Sequence, residues 1–169
     1  MPKNKMLKDE KIEKSLLNLE YLAYVFLICV TTIGFGVTTY FGYKFYIDKT
    51  MALAGIILWE IIFYTITIMI ILGIKDVLKL LRNLKTGNIF TFENANILKT
   101  IDKKLIFTLL FSLIANIIMV ILNWHSIALL AIWIVFISFI LAGHILVNPL
   151  AFLVERSAEM QIEMDLTIW

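Results

Sequence analysis

The sequence is poor in charge, cysteine and proline. Only 17% of its 169 residues are charged, and it has one cysteine and two prolines. Soluble domains have about 25% charged residues, so the composition argues against a disordered chain and against a soluble nucleic-acid-binding protein. One cysteine cannot form an internal disulfide, which excludes a disulfide scaffold. Because Cys29 lies within an apolar run, we interpret it as a small buried hydrophobic residue.

Apolar residues, by contrast, are in excess. They make up 61% of the chain, whereas soluble domains have about 45–50%. The mean hydropathy of +0.91 shows the same surplus. A single water-soluble core of this size cannot bury so many apolar side chains. The composition therefore predicts an integral membrane protein.

Four apolar runs are long enough to cross a bilayer, which takes about 20 helical residues. They lie at residues 21–43, 51–74, 105–122 and 127–148. We therefore predict an all-α, polytopic membrane domain with four transmembrane helices over residues 21–154. A basic leader (1–20) precedes this domain and an acidic tail (155–169) follows it.

The fourth run contains a proline and stays apolar beyond its span, as far as Val154. Proline lacks a backbone N–H and crowds the preceding helical turn. We therefore expect a bend or a break between His144 and Pro149.

Basic residues are distributed unevenly between the two ends of the predicted spans. All but two of the 15 lie in the leader, in residues 75–104 or in the tail, the exceptions being Lys44 and Lys49. Short loops rich in lysine and arginine stay in the cytoplasm. We therefore predict that both termini and residues 75–104 are cytoplasmic.

Residues 75–104 are predicted to form a helical hairpin between the second and third spans. Its first helix carries three basic residues on one face, Lys75, Lys79 and Arg82. Gly87 is suited to the turn after that helix. Thr91 is a candidate N-cap for a second helix that begins near Phe92, with Glu93 in its first turn. The basic face has two interpretations, contact with anionic lipid headgroups or docking of an acidic partner.

The tail is predicted to be an acidic helix with an apolar edge. Glu155, Glu159 and Glu163 recur every four residues, and Met160 and Met164 lie beside them. One interpretation is that these methionines pack against Leu81 and Leu84 of the hairpin. The other is that they bind a partner protein, because methionine surfaces adapt to different partners.

Two short motifs carry a resemblance to a known family. Residues 87–94 fit the pattern G-x-x-F-[ST]-x-E-N, and residues 163–168 fit E-x-D-L-T-[VI]. On these motifs the chain resembles, over nearly its whole length, the bacterial membrane family called domain of unknown function 2975. The resemblance implies a bacterial cell-membrane location and no established activity. It also implies a regulatory role as the membrane partner of a small helix-turn-helix DNA-binding protein, because members are often encoded beside one.

That role would need docking residues on the cytoplasmic side. The candidates are Lys75, Lys79, Arg82, Glu93, Asn94, Glu159, Glu163 and Asp165.

Among the polar residues within the spans we single out Glu60, Asn116 and His144, and Glu60 is the only acidic residue in any span. At about 1.5 Å of rise per residue, Asn116 lies at a similar depth to Glu60, where the two could form a hydrogen bond. His144 lies nearer the cytoplasm. These residues either hold the helices together or form a site that responds to a proton or a ligand.

Gly34, Thr38 and Gly42 form a ridge of small residues at a spacing of four. Such a ridge lets another helix approach closely. It serves either packing within the four-helix bundle or dimerisation, which would make the protein a homo-oligomer.

The sequence has no HExxH, GxSxG, cysteine–histidine cluster or phosphate-binding glycine loop. We therefore predict no enzyme activity, catalytic residue, metal site or cofactor, and no direct contact with nucleic acid. The first functional hypothesis is the membrane regulator. The alternative is a small transport or immunity-type protein that binds a lipid, a peptide or a hydrophobic drug within the bundle.

Overall fold

The computed structural model describes residues 3–48, 53–87, 89–122 and 127–167, and all secondary structure in them is helical. The helices are α1 (Lys3–Thr31), α2 (Thr38–Ile47), α3 (Leu53–Lys85), α4 (Phe92–Ile121) and α5 (Ile127–Thr167), with a π-helical segment, Thr32–Val37, joining α1 to α2. Four stretches are long and apolar enough to cross a membrane, Lys11–Ile47, Leu53–Lys85, Phe92–Ile121 and Leu130–Met164. The prediction of an all-helical chain with four such helices is confirmed.

The leader is part of the first helix, because α1 already begins at Lys3. Helix-forming lysine, leucine and glutamate dominate this stretch, so no local signal separates it from the apolar run that follows. Farther along, the π-helical segment Thr32–Val37 contains Gly34 and Gly36. Short π-helical segments are rare and occur mostly as single-turn bulges inside α-helices.

Of the predicted bend or break in the fourth span, the structure rules out the break. α5 continues through Pro149 and ends only at Thr167. A proline removes one hydrogen bond of the helix, but α5 packs on α4 on both sides of it, with Ile140, Ala151 and Ala158 all buried. The tail is therefore a continuation of the fourth helix.

The turn between α3 and α4 has the predicted local structure. α3 ends at Lys85, and Gly87 adopts a φ of 83°, in the left-handed region that favours glycine. Thr91 is the N-cap of α4, and its side chain accepts a hydrogen bond of 3.2 Å from the backbone N–H of Asn94. These features confirm the two caps predicted for the hairpin.

The helices pack in chain order, with α3 at the centre. α1, the π-helical segment and α2 together form the first long helix, and α3 contacts all three. α3 also contacts α4, and α4 contacts α5. Within the described residues, no Cα atom of α1 or α2 lies within 8 Å of one in α4 or α5. The buried core joins three helices and consists of Trp59, Ile62, Ile66, Ala115, Met119 and Trp133.

The outer helices leave most of their apolar surface uncovered. Only 6% of the most apolar stretch of the first helix is buried, whereas 33% of the most apolar stretch of α3 is buried. Cys29 is exposed, so its interpretation as a buried residue is wrong. Lipid is as apolar as a protein core, and therefore an apolar run does not reveal which of its residues face other helices.

The small-residue ridge packs within the chain. Gly34 lies against Thr67 of α3, and Gly42 lies against Glu60 of the same helix. Thr38, between the two glycines, is buried. Of the two interpretations of the ridge, the structure favours packing inside the bundle.

Candidate functional site: a charged belt and an aromatic groove

Ion pairs and one histidine–aspartate hydrogen bond connect all four long helical stretches at the end of the bundle that carries the α3–α4 turn. We call this set of residues the charged belt. It consists of Glu20, Asp76, Arg82, Lys85, Lys99, Asp102, Lys104, His144 and Glu155.

The first connection of the belt joins α1 to α3. Lys85 donates a hydrogen bond to Glu20, and the Nε atom of Arg82 lies 3.9 Å from the same carboxylate. Arg82 also donates a 2.8 Å hydrogen bond to the hydroxyl of Tyr24. Glu20 therefore holds two cations of α3 against the first helix.

The second connection joins α3 to α4. The Nζ atom of Lys104 lies 2.5 Å from Asp76, and both side chains are about three-quarters buried, with relative exposures of 26% and 24%. Nearer the turn, Lys79 and Glu93 form an exposed pair at 3.1 Å. The hydrogen bond from Lys79 lowers the pKa of the Glu93 carboxyl below its usual value.

The third connection joins α4 to α5. Lys99 donates a 2.6 Å hydrogen bond to Glu155. One turn further along α4, Asp102 lies 2.5 Å from the Nδ1 atom of His144. The predicted polar residue His144 is thus a member of the belt.

The three polar residues predicted within the spans do not meet. Glu60 lies against Gly42 of α2, whereas His144 pairs with Asp102. Asn116 is only partly buried, because α4 packs with its neighbours Ser112, Ala115 and Met119. The described side chains of Glu60 and Asn116 form no hydrogen bond with each other, although their similar depth would allow one.

The predicted docking residues occupy different environments. Lys75 is exposed, Lys79 and Glu93 pair with each other, and Arg82 belongs to the belt. Glu159 pairs with Arg156 at 3.0 Å, Glu163 is exposed, and the side chain of Asp165 lies outside the described residues.

Asn94 has a structural position inside the α3–α4 turn. Its side chain is 1% exposed. It donates a 3.0 Å hydrogen bond to the carbonyl of Ile89 and accepts one of 2.9 Å from Asn83. In this structure Asn94 therefore joins the end of α3 to the start of α4 and does not lie on an exposed face.

The tail methionines are exposed, and the described backbone of the tail does not come close to α3. No Cα atoms of α3 and α5 lie within 8 Å of each other in the described part of the chain. Leu81 is buried, while Met160 and Met164 are exposed. The tail meets the hairpin through α4 instead, where Lys99 pairs with Glu155.

An aromatic groove lies between the first helix and α5, with α3 as its floor. It encloses about 410 Å³. Six rings line it, Phe41, Phe45, Trp59, Phe63, Trp133 and Phe136. The rings form a connected series, with centroids 5.5 Å apart for Phe45 and Trp59, 4.1 Å for Trp59 and Phe63, and 5.7 Å for Phe63 and Trp133.

A second cavity, of about 270 Å³, lies closer to the charged belt, and Gly73 and Ile140 are among its lining residues. Its lining includes two side chains with polar ends, and both already have partners. Lys104 pairs with Asp76, and Thr108 donates a hydrogen bond of 2.8 Å to the Lys104 carbonyl. This cavity offers a ligand little beyond apolar surface.

Two buried polar atoms have no hydrogen-bond partner in the described residues, the Nε1 atom of Trp59 and the Oγ atom of Ser112. Among those same residues, no group of three or more histidine, cysteine, aspartate or glutamate side chains is placed to hold a metal ion. The chemistry that the site offers is therefore ion pairing at the belt and aromatic contact in the groove.

Sequence reasoning missed most of the belt. Glu20, Asp76, Asp102 and Glu155 lie at the borders of the apolar runs, on the side richest in lysine. An acidic residue at such a border has basic neighbours on every adjacent helix. That position is the signal that could have identified these residues.

Comparison with known proteins adds no relative. No family model matches the sequence, no curated protein is significantly similar, and no solved structure matches the fold.

Proposed function

We propose that this chain is a non-enzymatic, multi-pass protein of a bacterial cell membrane with a regulatory role. In this proposal it holds a small helix-turn-helix transcription regulator on the exposed basic residues at the end of the bundle that carries the charged belt. The resemblance described above supports the class of partner. The observation that carries the proposal is the belt itself, because it joins every long helix at one end of the bundle.

The belt faces the cytoplasm in this proposal, and both termini lie on that side. The concentration of lysine and arginine at this end supports the orientation. A soluble DNA-binding partner would reach the protein only from there.

The exposed part of this end can exchange contacts. Lys79 and Glu93 are 57% and 61% exposed, and an ion pair so exposed contributes only about 0–1 kcal/mol. Lys75 and Lys103 are exposed and make no ion pair among the described residues. An acidic surface of a partner could therefore bind here without breaking the more buried pairs that hold the helices.

The test is affinity purification from native membranes, with the bound proteins identified by mass spectrometry. We expect a small helix-turn-helix protein to copurify with the natural chain. Its recovery should fall by about tenfold or more in Lys75→Gln/Lys79→Gln, since the loss of two charge contacts is worth about 1.4 kcal/mol. Lys44→Gln is the matched control, because Lys44 is also exposed but lies on α2, away from the belt. Full recovery with the double variant, or no DNA-binding protein in any sample, would contradict the proposal.

A second candidate function is favoured by the aromatic groove. Its volume of about 410 Å³ falls within the roughly 300–1,000 Å³ typical of small-molecule sites. We propose as the alternative that a hydrophobic molecule binds there, as in a small transport or immunity-type protein.

A further inference from the structure

We infer that the aromatic groove binds a hydrophobic organic cation and that Glu60 supplies the opposite charge. This inference rests on the second candidate function, binding within the bundle, and names the ligand class. A fitting ligand is a quaternary ammonium or phosphonium ion with apolar substituents.

The lining of the groove suits a cation with an apolar body. The faces of tryptophan, tyrosine and phenylalanine rings attract positive charge, and tryptophan does so most strongly. Trp59 and Trp133 both line the groove, with Phe63 between them. The aliphatic lining residues include Ile33 and Ile132, which would pack against apolar substituents.

Glu60 provides a negative charge next to this lining. It follows Trp59 on α3, and its Oε1 atom lies 2.5 Å from where a Cβ atom of Gly42 would be. Phe41 and Phe45, on either side of Gly42 in α2, are lining residues. Glu60 is not itself a lining residue, and its carboxyl group lies at the α2–α3 contact, between the lining residues of α2 and Trp59 in sequence and contact.

No basic group in the described residues neutralises Glu60. It forms no ion pair or hydrogen bond there, and the charged belt lies at the other end of α3. Lys44 is two positions from Gly42, about 200° around the helix, and it is exposed. A carboxylate in a span is costly unless it has a partner, and a bound cation would be that partner.

Lipid acyl chains from the surrounding membrane compete with a ligand for this groove. An acyl chain can fill the same apolar space, but it gains nothing from Glu60 or from the ring faces. Charge interactions are strong in a medium of low dielectric constant. The groove should therefore prefer a cation to a neutral molecule of similar shape.

The experiment uses the full chain in detergent with Trp124→Phe and Trp169→Phe. Of the four tryptophans in the sequence, this background keeps only Trp59 and Trp133, which both line the groove. The probes are methyltriphenylphosphonium and neutral triphenylphosphine oxide, titrated at one detergent concentration while fluorescence is measured. We expect saturable quenching by both and at least about tenfold tighter binding of the cation, which corresponds to about 1.4 kcal/mol.

Substitutions then assign the preference to Glu60. Glu60→Gln should make the two probes bind equally. Glu60→Asp keeps the carboxyl group and should retain the preference for the cation. This second variant keeps the test valid if Glu60→Gln perturbs folding. Glu159→Gln is the control, because that carboxylate lies in the tail and pairs with Arg156. Val37→Phe places a larger side chain at the groove lining and should weaken the binding of both probes.

The outcomes separate the inference from the function on which it rests. Equal binding of both probes to the natural groove would overturn the cation inference and leave a general apolar site. A preference that survives Glu60→Gln would also overturn it. Saturable binding of neither probe would overturn both the inference and the second candidate function.

Discussion

Gly34→Leu is expected to lower the melting temperature of the detergent-solubilised protein sharply, whereas Gly36→Leu should leave it nearly unchanged. A Cβ atom on Gly34 would lie 2.5 Å from Oγ1 and 3.0 Å from Cβ of Thr67. Thr67 is buried and short, and its hydroxyl donates a 2.8 Å hydrogen bond to the Phe63 carbonyl. It therefore cannot move aside, and overpacking of this kind costs about 1–3 kcal/mol.

Gly36 is the matched control, since it lies in the same π-helical segment and nothing is within 4 Å of its Cβ position. A second control is Gly34→Ala combined with Thr67→Ala, which removes the Oγ1 and Cγ2 atoms of Thr67 and should restore part of the stability lost in Gly34→Ala. Equal melting temperatures for Gly34→Leu and Gly36→Leu would contradict the close approach of the first helix to α3.

Lys104→Met is expected to destabilise the protein by about 1–2 kcal/mol, whereas Lys103→Met should change stability by less than about 0.5 kcal/mol. Lys104 is the partner of Asp76, and both side chains are mostly buried. Removing the lysine leaves a carboxylate between α3 and α4 without its cation. Breaking a fully buried pair costs about 3–5 kcal/mol, and the partial exposure here reduces that figure.

Lys103 is the control because it is exposed, adjacent in sequence and without an ion pair in the described residues. The exchange Asp76→Lys/Lys104→Asp keeps the total charge and should recover most of the loss. Thermal unfolding followed by fluorescence measures all three. The role of the belt would be contradicted if Lys104→Met and Lys103→Met had the same stability.

Local signals predicted the elements of this fold well. The lengths of the apolar runs determine the number of spanning helices, and the caps at Gly87 and Thr91 depend on residues within one turn of them. The exception is Pro149, where the local rule predicted a bend or a break and the helix does not break. Packing of α5 on α4 on both sides of the proline keeps the helix continuous.

Contacts between helices could not be derived in the same way. The rise per residue gave the depth of Glu60 and Asn116, but depth does not determine the rotation of each helix about its axis. Glu60 is turned toward Gly42 of α2, so an equal depth does not bring Asn116 to it. The pairing of His144 with Asp102 depends on the same rotation and on the choice of α4 as the neighbour of α5.

The side of the membrane on which the ends of the helices lie tests the proposed topology. Alkaline phosphatase, which is active only outside the cytoplasm, would be fused in separate chains after Asp48, Gly87 and Trp169. Because four helices cross the membrane and the charged belt faces the cytoplasm in our proposal, we expect activity after Asp48 and none after Gly87 or Trp169. Phosphatase activity after Trp169 would contradict the four-span topology, and activity after Gly87 would place the charged belt on the wrong side for a cytoplasmic partner.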